Sequence, residues 1–307
     1  MPAASSREHI ALAGRLGSGP ALGPLQAIDP LMTRLSAPRF KRLLLTGAAG
    51  NLGRVLRPRM KAYCDVLRLS DLAPMDPAGD GEEVVQAPLE DLAAMQALLK
   101  DVDAVLHFGG VSIEKPFDVV LPANIVGAYN VYEAARQRGV RRIVFASSNH
   151  VTGFYSQGET LTPQATPRPD SYYGLSKAFG ENLAQFYFDR YGLETVSLRI
   201  GSSWPVPTDR RMLSSWLSFD DLERLIVAAL AAPVVGHTVI YGMSANRSVW
   251  WNNAPASHIG FKPEDSSEPW RAEVEAAQPY LDPGRPEVRC QGGGFVVLGP
   301  FEKDPAA

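Results

Sequence analysis

Leu43-Leu44-Leu45-Thr46-Gly47-Ala48-Ala49-Gly50-Asn51-Leu52-Gly53 decides the fold of this 307-residue chain. An apolar run without polar alternation reads as a strand buried on both faces, and glycines at G-x-x-G-x-x-G spacing follow it directly. Residues 52–60 then carry a helical pattern. Strand, glycine turn and helix in that order make a place for a pyrophosphate. Glycine lets the backbone turn tightly and come close, while the first helical amides and the helix dipole favour negative charge. An ordinary strand-to-helix turn shares the glycines, so the surrounding order carries the reading.

Outward from that turn, residues 42–46, 66–70, 84–86, 104–107, 142–147 and 195–199 read as strands, short and β-branched or leucine-rich. Between them, apolar residues at three- and four-residue spacing mark helices at 92–99, 123–138 and 176–190. This alternation predicts an α/β fold: a doubly wound parallel sheet of the Rossmann type with right-handed crossovers. After residue 201 the pattern weakens. Ser218-Phe219-Asp220-Asp221 signals a helix running to 232, and 238–241 reads as a further strand. The expected organisation is a dinucleotide-binding domain at 41–201 and a small C-terminal substrate-binding region at 202–307, a cap interleaved with the main domain. Residues 1–40, rich in Ala, Gly, Pro and Ser, read as a disordered extension, with Met32 a candidate native start. A transit peptide is the other reading of that acid-poor segment.

Composition narrows the function class. Hydrophobic residues at 45% and charged residues at 21% are ordinary for a globular protein. A formal charge of -3 without a dense basic block argues against a nucleic-acid partner, and no apolar run approaches the roughly 18 residues of a membrane span. Cys64 and Cys290 are the only cysteines, too few for a disulfide framework, so a reducing cytoplasm is favoured. The five histidines are scattered, with no pair at helical metal-ligand spacing, so no metal is expected.

Two further features point to chemistry. Lys177 lies four residues after Tyr173, so on a helix both project from one face. An ammonium ~4 Å from a phenol at an effective dielectric of about 20 favours the phenolate by at most about 4 kcal/mol, near 3 pKa units, which makes Tyr173 a candidate general base. Asp71 ends the second strand 18 positions beyond Gly53, where a carboxylate can accept both hydroxyls of an adenosine ribose and repel a 2′-phosphate. No arginine follows it immediately, which favours NAD over NADP, and Arg68 is the nearest before it. The plainer reading is that Asp71 begins a polar turn with Asp76 and Pro77.

These motifs resemble the extended short-chain dehydrogenase/reductase family from about residue 41 to 201. The matching positions are the glycine turn, Asp71, the segment His107-Phe108-Gly109-Gly110, Ser148 after the fifth strand, and Tyr173 with Lys177. Two departures stand out. Ala87-Pro88-Leu89 replaces an acidic residue before the leucine that meets adenine, and two glycines replace the usual small alanines after the fourth strand. The resemblance implies a catalytic set of Tyr173, Lys177 and Ser148, and NAD contacts at Gly47, Gly50, Asn51, Leu52, Gly53, Asp71, Leu89, Gly109, Tyr173 and Lys177. Strand alternation turns Ser147, the competing serine, to the opposite face.

Polar residues near the site suggest a hydroxylated anion as substrate: Asn149 and His150, Ser202, and Arg210 with Arg211. The resemblance narrows to the NAD-dependent uronate dehydrogenases through the Ser148-Asn149-His150 string, the Arg199-Ile200-Gly201-Ser202 loop and Arg211. It implies that Ser112, Ser148, Asn149, His150, Ser202, Arg211 and Phe295 bind a uronic acid, galacturonate or glucuronate. The implied reaction oxidises its anomeric carbon to an aldarolactone, with Tyr173 taking the hydroxyl proton, and the expected assembly is a homo-oligomer. Duller readings stand beside each: Arg211 as a solvated loop charge, His150 satisfying backbone at a strand end, Asn124 as a structural or relay residue, and Trp250 with Trp251 as core rather than sugar platform. Two rival functions remain, a nucleotide-sugar epimerase or dehydratase of the same family, and a non-catalytic NAD sensor.

Overall fold

In the computed structural model, residues 39–299 and residue 301 are described, and they build around one seven-stranded sheet. Its strands are β1 (Phe40–Thr46), β2 (Cys64–Asp71), β3 (Glu82–Gln86), β4 (Ala104–His107), β5 (Arg142–Ser148), β6 (Glu194–Ile200) and β7 (His237–Gly242), all parallel, in the order β3-β2-β1-β4-β5-β6-β7. The principal helices are α1 (Asn51–Met60), α2 (Leu92–Leu98), α3 (Gly127–Arg138), α4 (Tyr172–Tyr191), α5 (Phe219–Ala231) and α6 (Arg271–Ala277). The doubly wound parallel sheet expected from the sequence is the sheet observed. The extension read at residues 1–40 lies, as far as residue 38, outside the described residues, and so does the candidate start at Met32.

Apolar side chains cover both faces of the sheet, which is why its strands lack alternation. Leu43 and Leu45 pack on one side with Leu56 and Met60 of α1 and with Leu222, Leu225 and Ile226 of α5. Leu44 packs on the other with Met95 of α2, Val131 of α3 and Ala184 and Tyr187 of α4. Strand order reverses between β1 and β4, and ligands of open α/β sheets bind at the carboxyl ends of strands beside such a switch point. Asp71 and Ser148 end their strands on that edge, and Ser202 follows β6 there by two residues.

Two helix starts differ from the sequence expectation for physical reasons. α4 begins at Tyr172, earlier than the apolar pattern suggested, because the Ser171 hydroxyl accepts the Gly174 amide (2.9 Å) and the Glu114 carboxylate accepts the amides of Tyr172 (3.0 Å) and Tyr173 (2.8 Å). α3 is preceded by a π turn over Leu121–Val126. That wide turn buries Asn124, whose carboxamide accepts from the Val111 amide (2.7 Å), donates to the Val111 carbonyl (2.9 Å) and donates to the Ser176 hydroxyl (2.9 Å). The cap at Ser218 forms as read, its hydroxyl accepting the Asp221 amide at 2.8 Å.

Candidate active site

The glycine turn between β1 and α1 is built for a backbone-close ligand. Gly47 has φ +74°, and a Cβ there would lie 2.5 Å from the Phe108 backbone, while a Cβ on Gly53 would lie 2.1 Å from the Gly47 carbonyl oxygen. α1 starts after Gly50 with no side-chain cap, leaving its first amides to a ligand. Asn51 and Gly50 are exposed, and Leu52 is half-buried. Asp71 borders the turn, one carboxylate oxygen accepting the Ala49 amide and the other the Ala73 amide, both at 3.0 Å. Arg68 points elsewhere: it pairs with Glu83 (2.5 Å) and donates to the carbonyls of Leu98 and Lys100. Leu89 packs against Gly109 and Gly127, where any Cβ would come within 3.0 Å of it. These residues fit a dinucleotide.

Beside the turn, Ser148, Tyr173 and Lys177 come together, each buried. The Lys177 ammonium lies 5.6 Å from the Tyr173 ring centroid and 5.1 Å from that of Phe145. Ser147 turns away as alternation requires and donates to Glu181 (2.6 Å), which also pairs with Arg199 (2.8 Å). The phenol differs from the sequence expectation. Burial pushes the Tyr173 hydroxyl up to about 12, with a hydrogen bond to Ser148 pulling the other way and the charge of Asp170 adding to the rise. Burial also pushes Lys177 down to about 8. Desolvation of both groups outweighs their attraction, which was reckoned above at its upper bound, and further positive charge at the phenol would act to lower it again.

A second cluster adjoins the first through the Ser148-Asn149-His150 turn. His150 donates its amide to the Ser148 hydroxyl (3.2 Å), its Nδ1 meets Asp170 (2.7 Å), and its ring stacks on Phe295 with centroids 3.8 Å apart. Phe295 also lies 6.1 Å from the Tyr173 ring. The Arg211 guanidinium donates to the Ser202 hydroxyl (3.0 Å) and the Gln291 carbonyl (2.7 Å). With the Asn149 carboxamide oriented so that its nitrogen donates to the Ile200 carbonyl, its oxygen accepts from Arg211 at 2.7 Å. Burial lowers the Arg211 pKa, and no carboxylate pairs with it among the described residues. Arg210, its neighbour, is bound into α6 by Gln278 and Glu275. Ser112 is exposed on the loop after β4, apart from this cluster's hydrogen bonds.

Sequence reasoning passed over Asp170, Glu114 and Gln291. Asp170 stood three residues before Tyr173, the one signal that pointed to it. Glu114 and Gln291 carried none, for their partners lie far off in the chain. Trp251 is core, stacked on Tyr241 at 4.8 Å with its indole N–H donating to Gln291 (2.8 Å). A hollow of about 350 Å³ lies at the opposite edge of the sheet, lined by Arg136, Tyr191 and Glu194, and has no part in this chemistry. Among the described residues no group of three or more His, Cys, Asp or Glu side chains could hold a metal ion, and no helix is long and apolar enough to cross a membrane.

A parallel sheet with a glycine cradle at its switch point and a buried tyrosine, lysine and serine beside it defines a dinucleotide-dependent α/β protein. The chain belongs to the NAD dependent epimerase/dehydratase family, which it matches over residues 43–218. Over 263 residues, 85% of this chain and 95% of its counterpart, it is 59% identical to a uronate dehydrogenase of Pseudomonas syringae pv. tomato. A crystal structure of a uronate dehydrogenase mutant from Agrobacterium tumefaciens, complexed with NAD, superposes with a TM-score of 0.84 at 50% identity, covering 86% of this chain and all of that one. A glucuronic acid dehydrogenase from Chromohalobacter salexigens gives 0.83 at 48% identity, covering 84% and 97%.

Proposed function

We propose that this chain oxidises a hexuronic acid, galacturonate or glucuronate, at its anomeric carbon to an aldarolactone, using NAD. The observation that carries the reading is Arg211: a guanidinium held by Ser202, Asn149 and the Gln291 carbonyl, with no carboxylate paired to it among the described residues, and joined through Asn149 to the turn that carries Ser148. An arginine fork so placed suits a ligand carboxylate. The relatives named for uronates support the same assignment.

Gly47, Gly50, Asn51, Leu52 and Gly53 would hold the pyrophosphate, Asp71 the adenosine ribose, and Leu89 and Gly109 the adenine side. The oxidised nicotinamide of a bound NAD would supply the hydride acceptor for C1 and a positive charge that favours the phenolate. Tyr173 Oη takes the proton of the C1 hydroxyl, and the Ser148 hydroxyl donates to the oxygen as it becomes anionic. The Lys177 ammonium would support the phenolate and bind the nicotinamide ribose. Arg211, with Asn149 and Ser202, holds the carboxylate, His150 and Ser112 meet sugar hydroxyls, and Phe295 packs on the ring. Residues 202–299 would supply much of this pocket and act as its cap.

A nucleotide-sugar epimerase would need cations for a diphosphate, and Arg210, half of the Arg210-Arg211 pair read as suited to it, is committed to α6 and Gln278. A sensor would have no use for the buried tyrosine and serine. Self-association is part of the reading, since Tyr172, Leu175, Phe179 and Phe186 form an exposed apolar stripe along α4. So is a reducing cytoplasmic setting, with Cys64 and Cys290 both free thiols. Mixing the protein with NAD and each uronate and following absorbance of the reduced nicotinamide tests the assignment. Stoichiometric reduction of added NAD is expected, and no net NADH with either uronate would refute it.

A further inference from the structure

Asp170 has its own compartment. Its carboxylate is fully buried, meets His150 Nδ1 at 2.7 Å and accepts the Ser171 hydroxyl at 2.7 Å. Two glycines wall it in: a Cβ on Gly153 would lie 1.7 Å from the carboxylate, and one on Gly292 1.9 Å. The Gly292 amide donates to the Gly153 carbonyl at 2.8 Å, closing that wall. His150 is thereby fixed on three sides, by Asp170 at Nδ1, by Phe295 stacked on its face, and by the Tyr173 ring at 5.9 Å. Nε2 alone has no protein partner among the described residues, and the side chain keeps 10% of its surface exposed.

We infer that Asp170 is a positioning residue whose carboxylate keeps the imidazole proton on Nδ1, so that His150 Nε2 faces the pocket as an acceptor for a hydroxyl of the sugar acid. An ionised carboxylate can only accept, so it dictates which ring nitrogen carries the proton. Burial holds His150 below its ordinary pKa, in the neutral form that has a lone pair to offer. The cluster then sorts its ligand by polarity: Arg211 offers donors to a carboxylate, and His150 offers an acceptor to a hydroxyl. The hydroxyl half of this inference rests on the uronate reading, whereas the tautomer does not.

Asp170→Asn, made in the wild type and in a His150→Gln background, tests it through a double-mutant cycle. In the wild type the loss of one oriented hydrogen bond is expected to raise the uronate KM about tenfold while the KM for NAD stays put. In the His150→Gln background, where a carboxamide oxygen supplies the acceptor without Asp170, the same change is expected to shift KM less than about twofold. An equal rise in both backgrounds, or none in the wild type, overturns the inference. Nitrogen NMR of histidine-labelled wild type, with His150 assigned by difference from His150→Gln, reads the tautomer without turnover. A proton on Nδ1 and a bare Nε2 are expected, and the reverse sinks the proposal even if every variant folds poorly. Absence of turnover on either uronate would instead overturn the substrate assignment, leaving the NMR result to decide the tautomer.

Discussion

Lys177→Met is expected to make the protein more stable and inactive at once. Lys177 is buried with no carboxylate beside it among the described residues, and burial moves its pKa from 10.5 down to about 8. Each pKa unit corresponds to about 1.4 kcal/mol, so the folded state is penalised by about 3 kcal/mol, or about 2 after allowing for relaxation and lost ring contacts. The unfolded lysine holds its proton more tightly than the folded one. The penalty is therefore complete below about pH 8, shrinks as pH rises from there, and vanishes above about 10.5. Methionine keeps the apolar stem without the charge. Urea unfolding without cofactor should show a gain of about 2 kcal/mol at pH 7, near 5 °C in Tm, falling below about 1 kcal/mol at pH 10. Turnover should be lost, since a site residue of this kind stores instability for function. A variant that is less stable at pH 7, or whose gain is the same at both pH values, would refute the argument that desolvation dominates Lys177.

Arg211→Ala should raise the uronate KM about 100-fold, the scale of a charge-assisted pair, and leave the NAD KM within about twofold; steady-state kinetics in both substrates decides it. Gly53→Ala would drive a Cβ to 2.1 Å from the Gly47 carbonyl oxygen, so calorimetry should show NAD binding weakened at least about tenfold and urea unfolding a loss of about 2 kcal/mol. Phe179→Glu, placed in the exposed α4 stripe, should shift sedimentation toward the monomer without changing the far-ultraviolet circular dichroism, and an unchanged oligomer would move the interface elsewhere.

The sequence by itself determined the layered architecture and the order of its chemistry. Leu43, Leu44 and Leu45 announced a strand buried on both faces, the glycine turn announced a close-approaching ligand, and the four-residue step from Tyr173 to Lys177 put both on one helical face. Those are local facts, governed by backbone sterics and by the periods of helix and strand. Tertiary structure alone decided the rest. It separated Arg211, facing the site, from Arg210, bound into α6, though they are neighbours in the chain. It brought Glu114 to the amides of Tyr172 and Tyr173, and Asp170 to His150 between two glycines far apart in sequence. It also set the protonation of the site, because desolvation depends on what the whole fold packs around a group. Burial raised the phenol that a pairwise charge argument had lowered, and no spacing along a chain reports how much water the folded protein will remove.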